Sequence, residues 1–305
     1  MTAWGIAVDS AGNSRLTGGF GTPTGAAGFF ITRYDAGGSR DWVSIALENE
    51  ANAGDAAGVG VSLDAAGDSY VIGNLVGTVT FGVDEPSQTT LIGHSLFVLD
   101  FFVAKYNPDG AFVWARSVGG DGSDEVRAIA ADAAGNVHVT GTFDATVTFG
   151  AGEPSGESLT ANFGDMFLVK YDSGGAQLWV SHAPGLGFGG GAAIAVDAGG
   201  GIHVAGGFVA SVTFGPGEAN ETVLSVDPGG STNVFVAKYD DGGDLLWARA
   251  ATGTFAAVAR GVSADAAGNS YITGDFAFLA PIGGLSSLTF GHGEVNETTL
   301  TTEGA

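Results

Sequence analysis

"RAIAADAAGNVHVTGTF" occupies residues 127–143 and is the clearest copy of a pattern that the chain writes five times. Its centre, "DAAGN" at 132–136, returns unchanged at 265–269. Near copies read "DSAGN" (9–13), "DAAGD" (64–68) and "DAGGG" (197–201), spaced 55 to 68 residues apart. Short alternating stretches flank it, "AIAA" before and "VHVTG" after. An aspartate at the first turn position can bond amides ahead of it, and the glycine three residues on supplies a positive φ. That chemistry predicts a tight hairpin, a type I turn followed by a glycine bulge.

A second turn follows in each complete copy: "DAGG" (35–38), "NPDG" (107–110), "DSGG" (172–175) and "DDGG" (240–243). These sit inside "FFITRYDAGGSRDWVS" (29–44), "FFVAKYNPDGAFVWAR" (101–116), "DMFLVKYDSGGAQLWV" (165–180) and "VFVAKYDDGGDLLWAR" (234–249). Trp42, Trp114, Trp179 and Trp247 keep the same beat; Trp4 lies outside it, in the slot of Arg127 and Arg260. Two hairpins make four strands per repeat. The repeats run over about 4–56, 57–126, 127–191, 192–259 and 260–305, the fifth stopping before its second half, as one repeat domain over 1–305.

The strand stretches are rich in Val, Ile, Phe, Tyr and Thr and carry apolar residues on both faces. In "FVAKYD", Phe235, Ala237 and Tyr239 oppose Val236. A sheet apolar on both sides must be covered on both sides. Sister sheets stacked around an axis do this, so the fold class is all-β, a β-propeller of four-stranded antiparallel blades. A β-helix ranks behind, lacking paired tight hairpins. No apolar period of 3.6 residues supports helical repeats.

The combined run "DAAGNxxVTGxF … TVTFG … FVAKYDxxGxxxWA" resembles the bacterial β-propeller repeat called SBBP, along nearly the whole chain. The resemblance implies a propeller of secreted or surface-attached bacterial proteins without an assigned activity. Quinoprotein-type propellers are a more distant likeness. The chain departs from a compact blade by its long middle stretch. About four complete blades and a truncated fifth point to an open or incomplete ring, with self-association as one outcome; a fragment of a longer array is the preferred expectation.

Composition narrows the classes of function. The 305 residues include 54 glycines without a collagen period, and apolar residues make up 45%. There is no cysteine, hence no disulfide or thiolate site. Ten basic against 33 acidic residues give a net charge of −23, which disfavours nucleic acid and anionic membrane surfaces. No apolar run is long enough for a membrane span, and "MTAWGIAVDS" enters the repeat at once, with no signal peptide.

The middle stretch is the most distinctive part: "TFGVDEPSQTTL" (80–91), "TFGAGEPSGESL" (148–159), "TFGPGEANETVL" (213–224) and "TFGHGEVNETTL" (289–300). Glu85, Glu153, Glu218 and Glu294 share one slot and are the candidates for a rim of carboxylates binding cations or basic groups. A solvated loop, repeated because the whole unit was duplicated, explains the same pattern. "NET" at 220–222 and 296–298 matches a glycosylation sequon within that repeat. "DGSDE" (121–125) makes Asp121 and Asp124 the candidates for Ca²⁺, although no EF-hand loop is present, and "DDGGD" (240–244) reads as turn chemistry. No cofactor is otherwise expected.

Arg15, Tyr70, His138, His203 and Tyr271 fill one slot, expected on a blade surface; His94, His182 and His292 have no repeat partners. Arg33, Lys105, Lys170 and Lys238 precede Tyr34, Tyr106, Tyr171 and Tyr239, and each cation is expected to meet a carboxylate or water. No serine stands in a nucleophile elbow, and no glycine cluster forms a phosphate loop. The sequence therefore supports a non-enzymatic, extracellular or cell-surface scaffold presenting loops to protein or glycan ligands. The alternative is a lyase or hydrolase with a site on the central axis.

Overall fold

The computed structural model describes residues 2–21, 27–48, 57–95, 98–161, 164–186, 189–226, 232–253, 256–276, 285–291 and 295–303. Glu294 and His292 lie outside them. Every regular element among them is a strand, and no helix is long and apolar enough to cross a membrane. The chain divides into two bodies, residues 1–160 with 169–180, and residues 161–168 with 181–305.

The first repeat supplies β1 (Thr2–Val8), β2 (Ser14–Gly21), β3 (Ala27–Tyr34) and β4 (Arg40–Glu48). The second supplies β5 (Ala57–Leu63), β6 (Ser69–Leu75), β7 (Thr78–Phe81), β8 (Thr89–Ile92), β9 (Asp100–Tyr106) and β10 (Phe112–Val118). The third gives β11 (Glu125–Ala131), β12 (Val137–Phe143), β13 (Thr146–Phe149), β14 (Glu157–Thr160), β15 (Asp165–Tyr171) and β16 (Gln177–Ala183), followed by the short β17 (Gly185–Leu186). The fourth gives β18 (Gly190–Val196), β19 (Ile202–Phe208), β20 (Ser211–Phe214), β21 (Thr222–Ser225), β22 (Asn233–Tyr239) and β23 (Leu245–Gly253). The fifth contributes β24 (Ala257–Ala264), β25 (Ser270–Phe276), β26 (Leu285–Phe290) and β27 (Thr298–Glu303).

The blades are antiparallel and ordered as the two-hairpin reading requires: β1–β2–β3–β4, β5–β6–β9–β10, β11–β12–β15–β16 and β18–β19–β22–β23. The pentapeptide turns have the predicted chemistry. Asp9 Oδ1 accepts hydrogen bonds from the Ala11 and Asn13 amides, the Gly12 amide donates to the Asp9 carbonyl, and Gly12 has φ 84°. Asp64, Asp132, Asp197 and Asp265 repeat the arrangement.

The middle stretch is where the structure corrects the sequence reading. It is not a solvated loop but a third hairpin: β7–β8, β13–β14, β20–β21 and β26–β27. Each such hairpin pairs backward with the end of the preceding repeat. Leu47 and Glu48 of β4 pair with Thr80 and Val79, and Gly120, just after β10, bridges to Val147. β17 pairs with β20, and Ala251–Gly253 of β23 pair with β26. Two four-stranded blades thereby grow into six-stranded sheets.

Apolar spacing explains why the hairpin stays. Its first strand alternates Thr or Ser on one face with Val or Phe on the other, and Val79, Phe81, Val147, Phe149, Val212 and Phe214 are buried. In the first body Phe81 meets Phe29 and Phe102, with ring centroids 5.4 and 5.1 Å away. Phe29 and Phe102 stack at 4.9 Å, so one cluster joins the first two repeats. In the second body Phe214 lies 4.9 Å from Phe235.

Candidate functional site

Three of the recurrent glutamates, Glu85, Glu153 and Glu218, bond backbone amides of the fold. Glu85 Oε2 accepts the Phe112 amide at 2.8 Å, Glu153 Oε2 the Gln177 amide at 2.7 Å, and Glu218 Oε2 the Leu245 amide at 2.5 Å. Phe112 and Leu245 open their strands where the pairing with the preceding strand slips by one residue. Such a bulge leaves an amide without a ladder partner, and the carboxylate supplies one. Each glutamate is half-buried. Tyr106, Tyr171 and Tyr239 are fully buried beside them; burial first, then the charges of Glu85, Glu153 and Glu218, hold those phenols neutral far above neutral pH. Of the two sequons, Asn220 already spends its Nδ2 on the Leu245 carbonyl, at 3.0 Å.

The slot of Arg15, Tyr70, His138, His203 and Tyr271 is likewise corrected. The first four side chains are buried rather than displayed on a blade surface. The polar tips of Tyr70 and His203 reach turn aspartates. The Tyr70 hydroxyl shares its one proton between Asp64 Oδ2 at 3.1 Å and the Gly135 carbonyl at 2.9 Å, and Tyr271 donates to Asp265 Oδ2 at 3.0 Å. The guanidinium of Arg15 lies 5.5 Å from the ring centre of Trp42.

His203 makes the same contact, with Nε2 3.0 Å from Asp197 Oδ2, while Nδ1 lies 2.6 Å from Ser270 Oγ. A neutral imidazole protonated on Nε2 would donate to Asp197 and accept the serine hydroxyl at Nδ1. Lys238 Nζ is 2.9 Å from the same carboxylate oxygen and donates to the Gly268 carbonyl. Burial alone would raise the Asp197 carboxyl; Lys238, His203 and two turn amides outweigh it and hold it well below the usual carboxylate range. Lys105 finds Asp68 at 2.7 Å and Arg33 finds Asp41 at 3.2 Å.

Trp42 and Trp114 bind their repeats to the next. Trp42 Nε1 donates to the Pro108 carbonyl at 3.0 Å, and Trp114 Nε1 to the Ser173 carbonyl at 3.1 Å. Their rings cover Gly110 and Gly175, where an added methyl would fall 2.5 and 2.7 Å from the indole.

Of the two calcium candidates, Asp121 is exposed, with Oδ1 3.1 Å from His94 Nε2, whereas Asp124 is completely buried. Burial pushes the Asp124 carboxyl up to about 8; the Asp144 amide pulls it down, and the Asp100 charge pushes it further up. Asp100 belongs to a slot that sequence reading passed over, the polar residue opening the third strand: Asp100, Asp165 and Asn233. All three are buried. Asp165 Oδ1 accepts the Gly185 amide and Asn233 Oδ1 the Gly253 amide, both at 3.0 Å. The signal was present as a D/D/N column ahead of "FFVAKY", "MFLVKY" and "VFVAKY". Asp240 accepts its own turn amides from Gly242 and Asp244.

No protein-family model matches the chain. An uncharacterized WD repeat-containing protein of Acanthamoeba polyphaga mimivirus is 28% identical over 162 residues, 51% of this chain. The chain spans 12% of that protein's length. The repeated four-stranded antiparallel blades and this similarity agree on a β-propeller-like repeat protein.

Proposed function

We propose that the chain is a binding scaffold, a bacterial secreted or cell-surface protein of the SBBP type that offers its loops and middle hairpins to protein or glycan ligands. One observation carries this reading: the side chains that recur from repeat to repeat are engaged in holding the fold, so what remains for a partner is the outer surface. On the middle hairpins that surface consists of cross-strand hydroxyl pairs, Thr146 with Thr160, Thr148 with Ser158, and Thr289 with Thr299, at 2.8 to 2.9 Å and exposed. Such rows offer paired donors and acceptors to sugar hydroxyls or a peptide backbone. The net charge of −23 favours basic or neutral ligands over anionic ones. Glycan and peptide arrays probed with the whole chain test the reading. A bound class whose signal falls at least tenfold in a Thr146→Lys/Thr148→Lys double variant of unchanged melting temperature supports it. Arrays without a binder, or binding indifferent to those substitutions, overturn it.

The hydrolase alternative has one observation in its favour, the Asp197–His203–Ser270 chain. Tyr70 and Tyr271 make the same aspartate contact without a nucleophile, which gives that chain a structural role in every repeat that carries it. Labelling of Ser270 by a fluorophosphonate, mapped by mass spectrometry, would favour the enzyme.

A further inference from the structure

Asp100 opens β9 and Asp124 stands just before β11, where the second repeat meets the third. Asp100 Oδ2 accepts the backbone amide of His94. Asp124 Oδ1 accepts the Asp144 amide at 3.2 Å. The Asp124 amide donates to the Leu99 carbonyl at 2.6 Å, which sets the two aspartates at adjoining backbone positions. Both residues are buried, at 2% and 0% exposure, and among the described residues Asp100 Oδ1 and Asp124 Oδ2 have no hydrogen-bond partner. Among the described residues no lysine or arginine forms an ion pair with either group; His94 faces Asp100, and Asp144 adds a further negative charge beside Asp124. Two like charges buried together without a counter-ion are strongly unfavourable.

The other joints show what hydrogen bonding alone requires. The slot of Asp100 holds Asp165 and Asn233, and Asn233 performs the amide-accepting task with no charge. The slot of Asp124, three residues before Arg127, holds Gly189 and Ala257 in later repeats. The second carboxylate is therefore particular to this joint, and the fold does not need it elsewhere. Around it the backbone is unusually close. A methyl on Gly119 would lie 2.0 Å from Asp100 Oδ1, and one on Gly122 would lie 2.5 Å from the Asp144 carbonyl oxygen. Carboxylates and carbonyls crowded under a glycine loop are the ligand set of a hard cation.

We propose that Asp100 and Asp124 bind one divalent cation of the calcium class, with backbone carbonyls of the 119–124 loop as the further oxygen donors. Binding only to the folded chain raises stability with ion concentration. The whole chain, stripped with EDTA, is titrated with CaCl₂ and, separately, MgCl₂, and read by native mass spectrometry, calorimetry and thermal melting. One tightly held ion per chain and a melting temperature that climbs with calcium are expected. Asp124→Asn and Asp100→Asn should each weaken calcium binding at least tenfold. Asn already stands in the Asp100 slot of the fourth repeat, so that variant is compatible with the fold. Asp165→Asn, at the corresponding slot of the other body, should leave the ion in place. A stripped chain that takes up no calcium, or uptake that survives both substitutions, overturns the proposal. So does a proton in the cation's place: calcium without effect, a melting temperature falling above pH 8, and Asp124→Asn as stable as the parent in EDTA.

Discussion

Gly175 answers two demands at once. Its φ of 83° suits a residue without a side chain, and the Trp114 ring lies where a methyl would go. Gly152 has nearly the same φ, 82°, with open space around the missing methyl. The pair separates backbone strain from packing. Gly152→Ala should cost about 1–2 kcal/mol, the left-handed penalty alone. Gly175→Ala adds a clash with a wedged indole, and overpacking brings about 1–3 kcal/mol more. Thermal or urea unfolding of the two variants checks the difference; equal losses would mean that the tryptophan does not bear on the turn. The turn glycines and aspartates were legible in the sequence because their requirement is local. The burial of Tyr70 and His203 was not. A polar side chain at a strand position reads as surface until the aspartate six residues earlier is known to receive its tip.

The middle hairpin shows the same limit one level up. The first strand, "TVTF" or "SVTF", is made of strand formers but is only four residues long, its return strand is largely polar, and its backward partner stands in the preceding repeat. Phe81 and Phe214 give the hairpin its hold. Replacing either with Ala removes a fully buried ring from an aromatic cluster and should destabilise its body by about 3–5 kcal/mol. Hydrogen exchange would then report faster opening in Thr78–Phe81 for Phe81→Ala, or in Ser211–Phe214 for Phe214→Ala, than in the neighbouring blade strands. Uniform loss across the body would count against a hairpin pinned by its phenylalanine. The glutamate column is visible in the sequence as a repeated acid; only the amides of Phe112, Gln177 and Leu245, which three of its members accept, reveal why it repeats.

Across the molecule, the acid-sensitive groups are the turn aspartates. Asn269 and its turn amides hold the Asp265 carboxyl at about 2, and Asn13 lowers that of Asp9. At Asp132, and at Asp197 more strongly, hydrogen bonds outweigh the opposing effect of burial. A carboxyl held lower in the folded chain than in the unfolded one stabilises the fold above the unfolded value, near pH 4, and loses that contribution as the pH falls through the folded value. The melting temperature should therefore decline steadily below about pH 4, with Asp197 the largest contributor because Lys238 and His203 share its charge. Asp197→Asn should flatten that decline while lowering stability at pH 7. Circular-dichroism melts from pH 7 to pH 2 provide the measurement; an unchanged acid slope in the variant would remove Asp197 from the account.

The backward pairing of each middle hairpin means that the seams of the sequence and the seams of the hydrogen-bond network do not coincide. The chain is lapped like roof shingles, every course fastened under the one before it. A truncation that follows the repeat, ending at Glu48 or Val118, would bare a strand edge that the next course normally covers and invite intermolecular pairing. Cutting instead after Ile92 or Thr160 would carry the overlap along but leave β6 without β9, or β12 without β15, so either way of dividing this chain opens a seam that was sewn shut.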